Sequence, residues 1–162
     1  MMNENLNLLS DQELLDFYYE AAVKDIQEEW FISNSTKWYE HIIGLPDKEK
    51  FTYLIEILDR QVFNGGFNQY FVNGYGQFVK ETIEAFNMIE AYELAKIIGK
   101  AYYSVNSANY DGVIFRKKIL FGEIEELYNG DEELDKYLDS LDNKYYEYPD
   151  NIGLLLVEYL RL

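Results

Sequence analysis

Apolar positions recur every three or four residues along most of the chain, the spacing of amphipathic helices. Leu14, Phe17, Tyr18, Ala21, Ala22 and Ile26 form one such face, which predicts a helix over Ser10–Trp30. Ser10 can cap it, and Glu13 stands where a capping box wants an acid. Asn34–Ile43 reads as a short helix that ends near Gly44-Leu45-Pro46, and Pro46 suits the start of the next. That next helix, Asp47–Phe63, is the clearest in the chain, with Phe51, Leu54, Ile55, Leu58 and Val62 at helical spacing. Two further helices are expected over Phe78–Asn87 and Glu90–Ser104, then a polar connection over Asn106–Gly112. Gly99 inside the second costs about 1 kcal/mol relative to Ala. Val113–Tyr128 is ambiguous, since VIFRKKILF suits a strand as well; its continuation through Glu123–Leu127 favours helix. Asp131–Leu141 turns Leu134, Tyr137, Leu138 and Leu141 inward, Pro149 breaks the chain, and Asn151–Leu160 forms a last apolar helix. No period-two alternation and no internal repeat occurs. The pattern predicts an all-α fold, one multi-helix bundle over residues 1–162.

Between the third and fourth of these helices lies NGGFNQYFVNGYG, which holds four of the ten glycines. A phosphate-cradling loop needs glycines at set positions between a strand and a helix, usually with a lysine. Here a helix precedes Gly65, and the nearest base is Arg60. A structural role fits better. Asn64 or Gly65 can take the left-handed conformation that ends the preceding helix, and Gly66 lets the next begin close by. Phe67, Tyr70 and Phe71 then share one apolar face, with Gln69 and Asn73 free to bond neighbouring backbone ends. A core-plugging helix–turn–helix corner is expected.

Charge narrows the function classes. The 162 residues carry a net −16, with no cysteine and a single histidine. Residues 1–30 hold eight acids against Lys24, residues 123–150 hold eleven against Lys136 and Lys144, and the ten acids and ten bases of 31–122 cancel. The net acidity therefore sits in two blocks. Nucleic acid is not expected as a direct ligand, because binding it requires bases to neutralise phosphates. A basic protein partner fits, while acidity for solubility alone is the bland alternative. The N-terminus has neither a basic region nor an apolar run, and no apolar stretch reaches membrane-spanning length, so a cytoplasmic location is expected.

Chemistry-bearing constellations are few. An EF-hand loop started at Asn129 or Asp131 puts Leu134 or Lys136 where glycine is required, so no metal or cofactor is implied. His41 has no motif around it that would make a nucleophile–base pair. A hydrolytic carboxylate site would need two close acids of raised pKa in a concave pocket, and nothing selects such a pair from thirty acids; no catalytic residue is nominated. The acidic stripes remain. Glu132, Asp135, Asp139 and Asp142 follow a 3-4-3 spacing along one helix face, and Glu13, Asp16 and Glu20 do the same on the first helix. These seven are the candidate partner-binding residues. One helix advances ~4.5–6 Å per acid, too sparse to imitate a DNA strand with a phosphate every ~3.4 Å, so two blocks together, or a dimer, would be needed.

Asn64-Gly65-Gly66-Phe67-Asn68-Gln69-Tyr70-Phe71, followed by Asn73 and Gly76, resembles the signature of the bacterial DNA-mimic protein family, Asn-Gly-Gly-Phe-x-Gln-Tyr-Phe-x-Asn. The late Leu141-Asp142-Asn143-Lys144-Tyr145-Tyr146 and its apolar terminal helix are similar too, so the resemblance spans about residues 10–160. It implies an all-helical domain. In a characterised branch it also implies a homodimer that presents DNA-like negative charge and occupies the DNA-binding surface of a transcription factor. An antitoxin or immunity factor against a basic toxin would use the same physics, and partner identity alone separates the two. The carboxylates that act are not part of the signature.

Overall fold

A computed structural model describes residues 5–32 and 34–162, and every regular element among them is helical. Glu4, counted in the first acidic block, lies outside them. The elements are α1 (Asp11–Val23), α2 (Glu29–Ile32), α3 (Lys37–Ile43), α4 (Asp47–Val72), a 3-10 turn (Tyr75–Phe78), α5 (Val79–Met88), α6 (Tyr92–Val105), α7 (Gly112–Leu120), α8 (Glu125–Tyr128), α9 (Glu132–Tyr146) and α10 (Ile152–Arg161). The all-α expectation holds. α4 is the axis of the fold: α1, α5, α9 and the 3-10 turn pack directly against it, α6 lies against α5 and α9, and α10 against α1.

α1 opens with the expected capping box. Ser10 Oγ accepts from the Glu13 amide at 3.3 Å, and the Glu13 carboxylate accepts from the Ser10 amide at 2.8 Å. The helix stops at Val23, short of the expected Trp30, which belongs to the separate turn α2. The partner that closes its end comes from α3: His41 Nε2–H donates to the Ala22 carbonyl at 2.9 Å. The lone histidine is thus a cap supplied by tertiary packing, invisible to local pattern.

Phe51, Leu54, Ile55, Leu58 and Val62 of α4 are buried as the periodicity requires. The glycine corner divides α4 as expected: the backbone leaves helical φ/ψ at Gly65 and Gly66, and two helical halves meet there at a kink. The positive φ falls on Gly66 (φ 76°, ψ −177°) rather than on Asn64 or Gly65. That region is essentially open to glycine only. Close approach reinforces the choice, since a Cβ on Gly66 would stand 2.2 Å from Asp142 Oδ2. Beyond the kink Phe67, Tyr70 and Phe71 are fully buried, so the plugging role is as expected. Among the described residues, the Gln69 and Asn73 side chains bond side chains rather than backbone ends. Gln69 accepts from Asn64 Nδ2 at 3.1 Å and donates to Gln61 Oε1 at 3.0 Å, and Asn73 donates to the same Gln61 oxygen at 3.1 Å. These amides splice the two halves of the kinked helix side chain to side chain.

The ambiguous Val113–Tyr128 segment is helical but divides at Gly122, whose φ is +65°. Glu123 N–H donates to Lys118 O at 2.8 Å and Gly122 N–H to Ile119 O at 3.2 Å, the pair that closes a Schellman end. Glu90 ends α5 in the same left-handed conformation (φ 65°), so α6 starts at Tyr92 rather than Glu90. α9 runs on to Tyr146, past the expected Leu141. It buries Leu138, Leu141 and Tyr145 and leaves Tyr137, expected inward, substantially exposed.

Candidate functional site

Glu56, Asp59, Arg60, Phe63 and Asn64 follow i, i+3, i+4, i+7, i+8 along α4 and form its solvent-facing stripe. α1 lies along one flank. The Arg60 guanidinium stands 5.2 Å over the Tyr19 ring and donates to the Tyr19 hydroxyl at 3.2 Å, while Tyr19 stacks on Tyr53 at 6.0 Å. α9 and its exit lie along the other flank. Tyr145 and Tyr148 both donate to Asp59 Oδ1, at 2.9 and 3.3 Å, and Tyr146 donates to the Val62 carbonyl at 2.9 Å. The helices that carry the two acidic blocks therefore border one stripe, one on each side.

The seven nominated carboxylates divide in their surroundings. Glu13, Asp16 and Glu20 are exposed on α1; Glu13 also serves the capping box, whose hydrogen bonds from Ser10 lower its pKa, and Asp16 accepts from Gln12 Nε2 at 2.8 Å. On α9, Glu132 and Asp139 are exposed, and Glu132 is 3.8 Å from Lys136. Asp135 is half-buried at the α4 seam, 3.5 Å from Asn68 Nδ2.

Asp142 requires a correction. It is only 8% exposed, and its carboxylate accepts from the Phe67 amide at 2.8 Å. That amide is one of the orphan donors left by the kink, so Asp142 is the N-cap of the second half of α4, supplied from another helix. Burial raises its pKa, and the Phe67 bond and the Asp139 charge act in opposite senses upon it. Asp135 and Asp142 face the seam with α4, whereas Glu132 and Asp139 of the same stripe face solvent. Two more acids of the second block are also caps: Asp131 accepts from the Leu134 amide and Asp150 from the Leu94 amide at the start of α6.

Glu56 and Asp59 escaped the sequence reading because they fall in the stretch where acids and bases cancel. The stripe keeps the acids and only one base. Both carboxylates have raised pKa values, chiefly by burial; for Glu56 the neighbouring Asp59 and Asp16 add to this while Arg60 opposes it, and for Asp59 the tyrosine hydroxyls oppose it. Their i, i+3 spacing opposite Leu54 and Leu58 was the available signal. They are two close acids of raised pKa, as a hydrolytic site would need, but Asp59 already accepts two hydroxyls. Surface depressions lie elsewhere, one bordered by Lys80, Glu84, Asp111 and Arg116 and another by Tyr39, Gln77 and Leu120. Among the described residues no three His, Asp or Glu side chains are grouped as a metal would need, and no helix is long and apolar enough to cross a membrane.

The family model for DMP19-like proteins matches residues 44–162. The chain belongs to the DMP19-like family. DMP19 denotes a DNA mimic protein family, and it is not a known enzyme family. The DMP19-like region runs from the start of α4 to the end of α10, so it contains the glycine kink, the Asp142 cap and the second acidic block. α1, with the first acidic block, precedes it. No curated protein and no solved structure is significantly similar to the chain.

Proposed function

We propose that this DMP19-like protein is a non-enzymatic acidic binding protein, a DNA mimic that occupies the DNA-binding surface of a basic protein such as a transcription factor. The observation that carries the proposal is the placement of the acidic helices α1 and α9 on either side of one stripe of α4. A single acidic helix is too sparse to follow a phosphate strand. Two acidic edges with Glu56 and Asp59 between them offer charge in two rows, as the two strands of a duplex do. Exposed Glu13, Asp16, Glu20, Glu132 and Asp139, with half-buried Asp135, are the contacts for the partner's lysines and arginines; Asp142 is withdrawn from that role. A surface of this kind speeds encounter with a cationic partner and loses affinity as salt screens it.

The test is competitive. Basic proteins are captured from the native cell at low ionic strength, eluted with a salt step and assayed for duplex DNA binding with and without this chain. Loss of DNA binding in proportion to added chain is the expected result. A captured partner that keeps its DNA, or an affinity indifferent to salt, would overturn mimicry.

A further inference from the structure

Two cations converge over the first residue of α7 and stay unpaired. Lys80 Nζ stands 3.4 Å, and Arg116 Nη1 3.9 Å, from the point where a Cβ on Gly112 would be. Among the described residues neither base forms an ion pair, although the chain has thirty acids to supply one. Like charges brought to one spot repel, and an anion set between them turns that repulsion into attraction.

Arg116 is held ready for such a ligand. Its guanidinium lies 4.2 Å over the Tyr39 ring, and the Tyr39 hydroxyl donates to Glu81 Oε1. Stacking on the ring orients the guanidinium plane without occupying its N–H groups, whose fork matches the oxygens of a phosphate. The backbone at the start of α7 adds nothing, because the Val113 and Ile114 amides both donate to Asp111 Oδ1 at 2.9 Å. The donors are side chains.

Acceptors line the same depression. Glu81, Glu84 and Asp111 border it together with Lys80, Gly112 and Arg116, and Glu81 Oε2 is buried without a hydrogen-bond partner among the described residues. Carboxylates beside the cations repel a polyanion such as nucleic acid, which brings a row of phosphates. They suit a small ligand that joins one phosphate to several hydroxyl donors.

We propose that Lys80 and Arg116, converging over Gly112, hold the phosphate of a small polyhydroxylated phosphate monoester whose hydroxyls face Glu84 and Asp111. The site uses α5 and α7 rather than the helices of the acidic surface, so it stands or falls independently of the mimicry reading.

Calorimetric titration of the full chain in a phosphate-free chloride buffer tests it with glucose-6-phosphate, inorganic phosphate and glucose. Glucose-6-phosphate is expected to bind saturably and more tightly than inorganic phosphate, and glucose not to bind. Arg116→Gln and Lys80→Gln are each expected to weaken it about tenfold. Arg116 also packs on Tyr39, whereas Lys80 is exposed, so Lys80→Gln decides the matter if Arg116→Gln does not fold. Gly112→Ala keeps every charge and is expected to weaken binding severalfold, because its methyl enters the space between the cations. Lys96→Gln removes an equal charge from an exposed ion pair on α6 and should leave binding unchanged. Absence of glucose-6-phosphate binding to the unaltered chain overturns the site. Inorganic phosphate binding as tightly overturns the hydroxylated ligand. Equal losses for Lys96→Gln and Lys80→Gln, or full affinity in Gly112→Ala, also overturn the site, since the anion then answers to overall charge alone.

Discussion

One carboxylate shows how far side-chain identity alone can mislead. In the sequence Asp142 continues an acidic stripe and is indistinguishable from Asp139. In the fold it is buried against Gly66 and accepts the Phe67 amide 75 residues away in sequence. No local pattern carries that information, because the donor it satisfies exists only where α4 kinks. The assignment predicts opposite outcomes for two substitutions. Asp142→Asn keeps an oxygen for the amide and is expected to stay within about 1 kcal/mol of the parent. Asp142→Ala leaves a buried N–H without a partner and is expected to lose about 2 kcal/mol. Gly66→Ala should be worse, about 3 kcal/mol, because it combines a glycine-only backbone with a carboxylate in the space the methyl needs. Urea denaturation of the three variants checks this. If Asp142→Ala unfolds like the parent, the aspartate is a surface residue after all and returns to the partner-binding set.

At the scale of elements, helical periodicity was enough to find the helices but not to end them. α4, α6 and α10 were legible because their buried faces follow a 3.6-residue repeat. The stops were not, because they depend on residues far away: His41 at the end of α1, Asp150 at the start of α6 and Asp142 within α4. Of the candidate site, the exposed acids of α1 were legible from spacing. Glu56 and Asp59 were not, since only packing shows that, Arg60 apart, the bases cancelling them in sequence lie off their stripe. Inside α6, Gly99 has no atom within 4 Å of where a Cβ would stand. Gly99→Ala is therefore expected to stabilise by about 0.5–1 kcal/mol, read as a raised midpoint in thermal or urea melts. The seam between α4 and α9 makes a prediction in pH. Burial holds the Asp59 pKa above its usual 3.8, despite the hydroxyls of Tyr145 and Tyr148. A carboxyl raised on folding stabilises fully below its unfolded pKa, and that contribution disappears as pH rises through the folded value. Stability should fall, in part through this group, as pH rises above the unfolded value of 3.8. Asp59→Asn, which cannot ionise but still accepts the hydroxyls, should flatten that slope. An unchanged slope would mean that Asp59 titrates alike in both states.

At the scale of the whole molecule, composition gives the amount of charge and the fold decides its use. Of the eleven acids in the second block, Asp131, Asp142 and Asp150 are spent on helix starts, and most of the rest stay on the surface. The surface they leave is strongly anionic and repels itself, with α1 and α9 both bordering the Glu56–Asp59 stretch. Ion pairs do little to offset this. Pairs such as Lys96–Glu93 and Lys136–Glu132 are exposed on both sides, and such pairs contribute at most about 1 kcal/mol each. Salt therefore has opposite effects on the two properties of the protein. Raising ionic strength from about 10 to 150 mM shortens the Debye length from about 30 to 8 Å, which relieves repulsion between the acidic edges more than it weakens short contacts. Folding stability should rise over that interval, while affinity for a basic partner should fall steeply. Urea titrations and binding isotherms across one salt series measure both. A stability that fell with salt would show that ion pairing outweighs repulsion in this fold, and the anionic surface would then be partly neutralised before any partner arrives. A rise in stability together with a fall in affinity is what a surface kept unneutralised for a cationic partner must show.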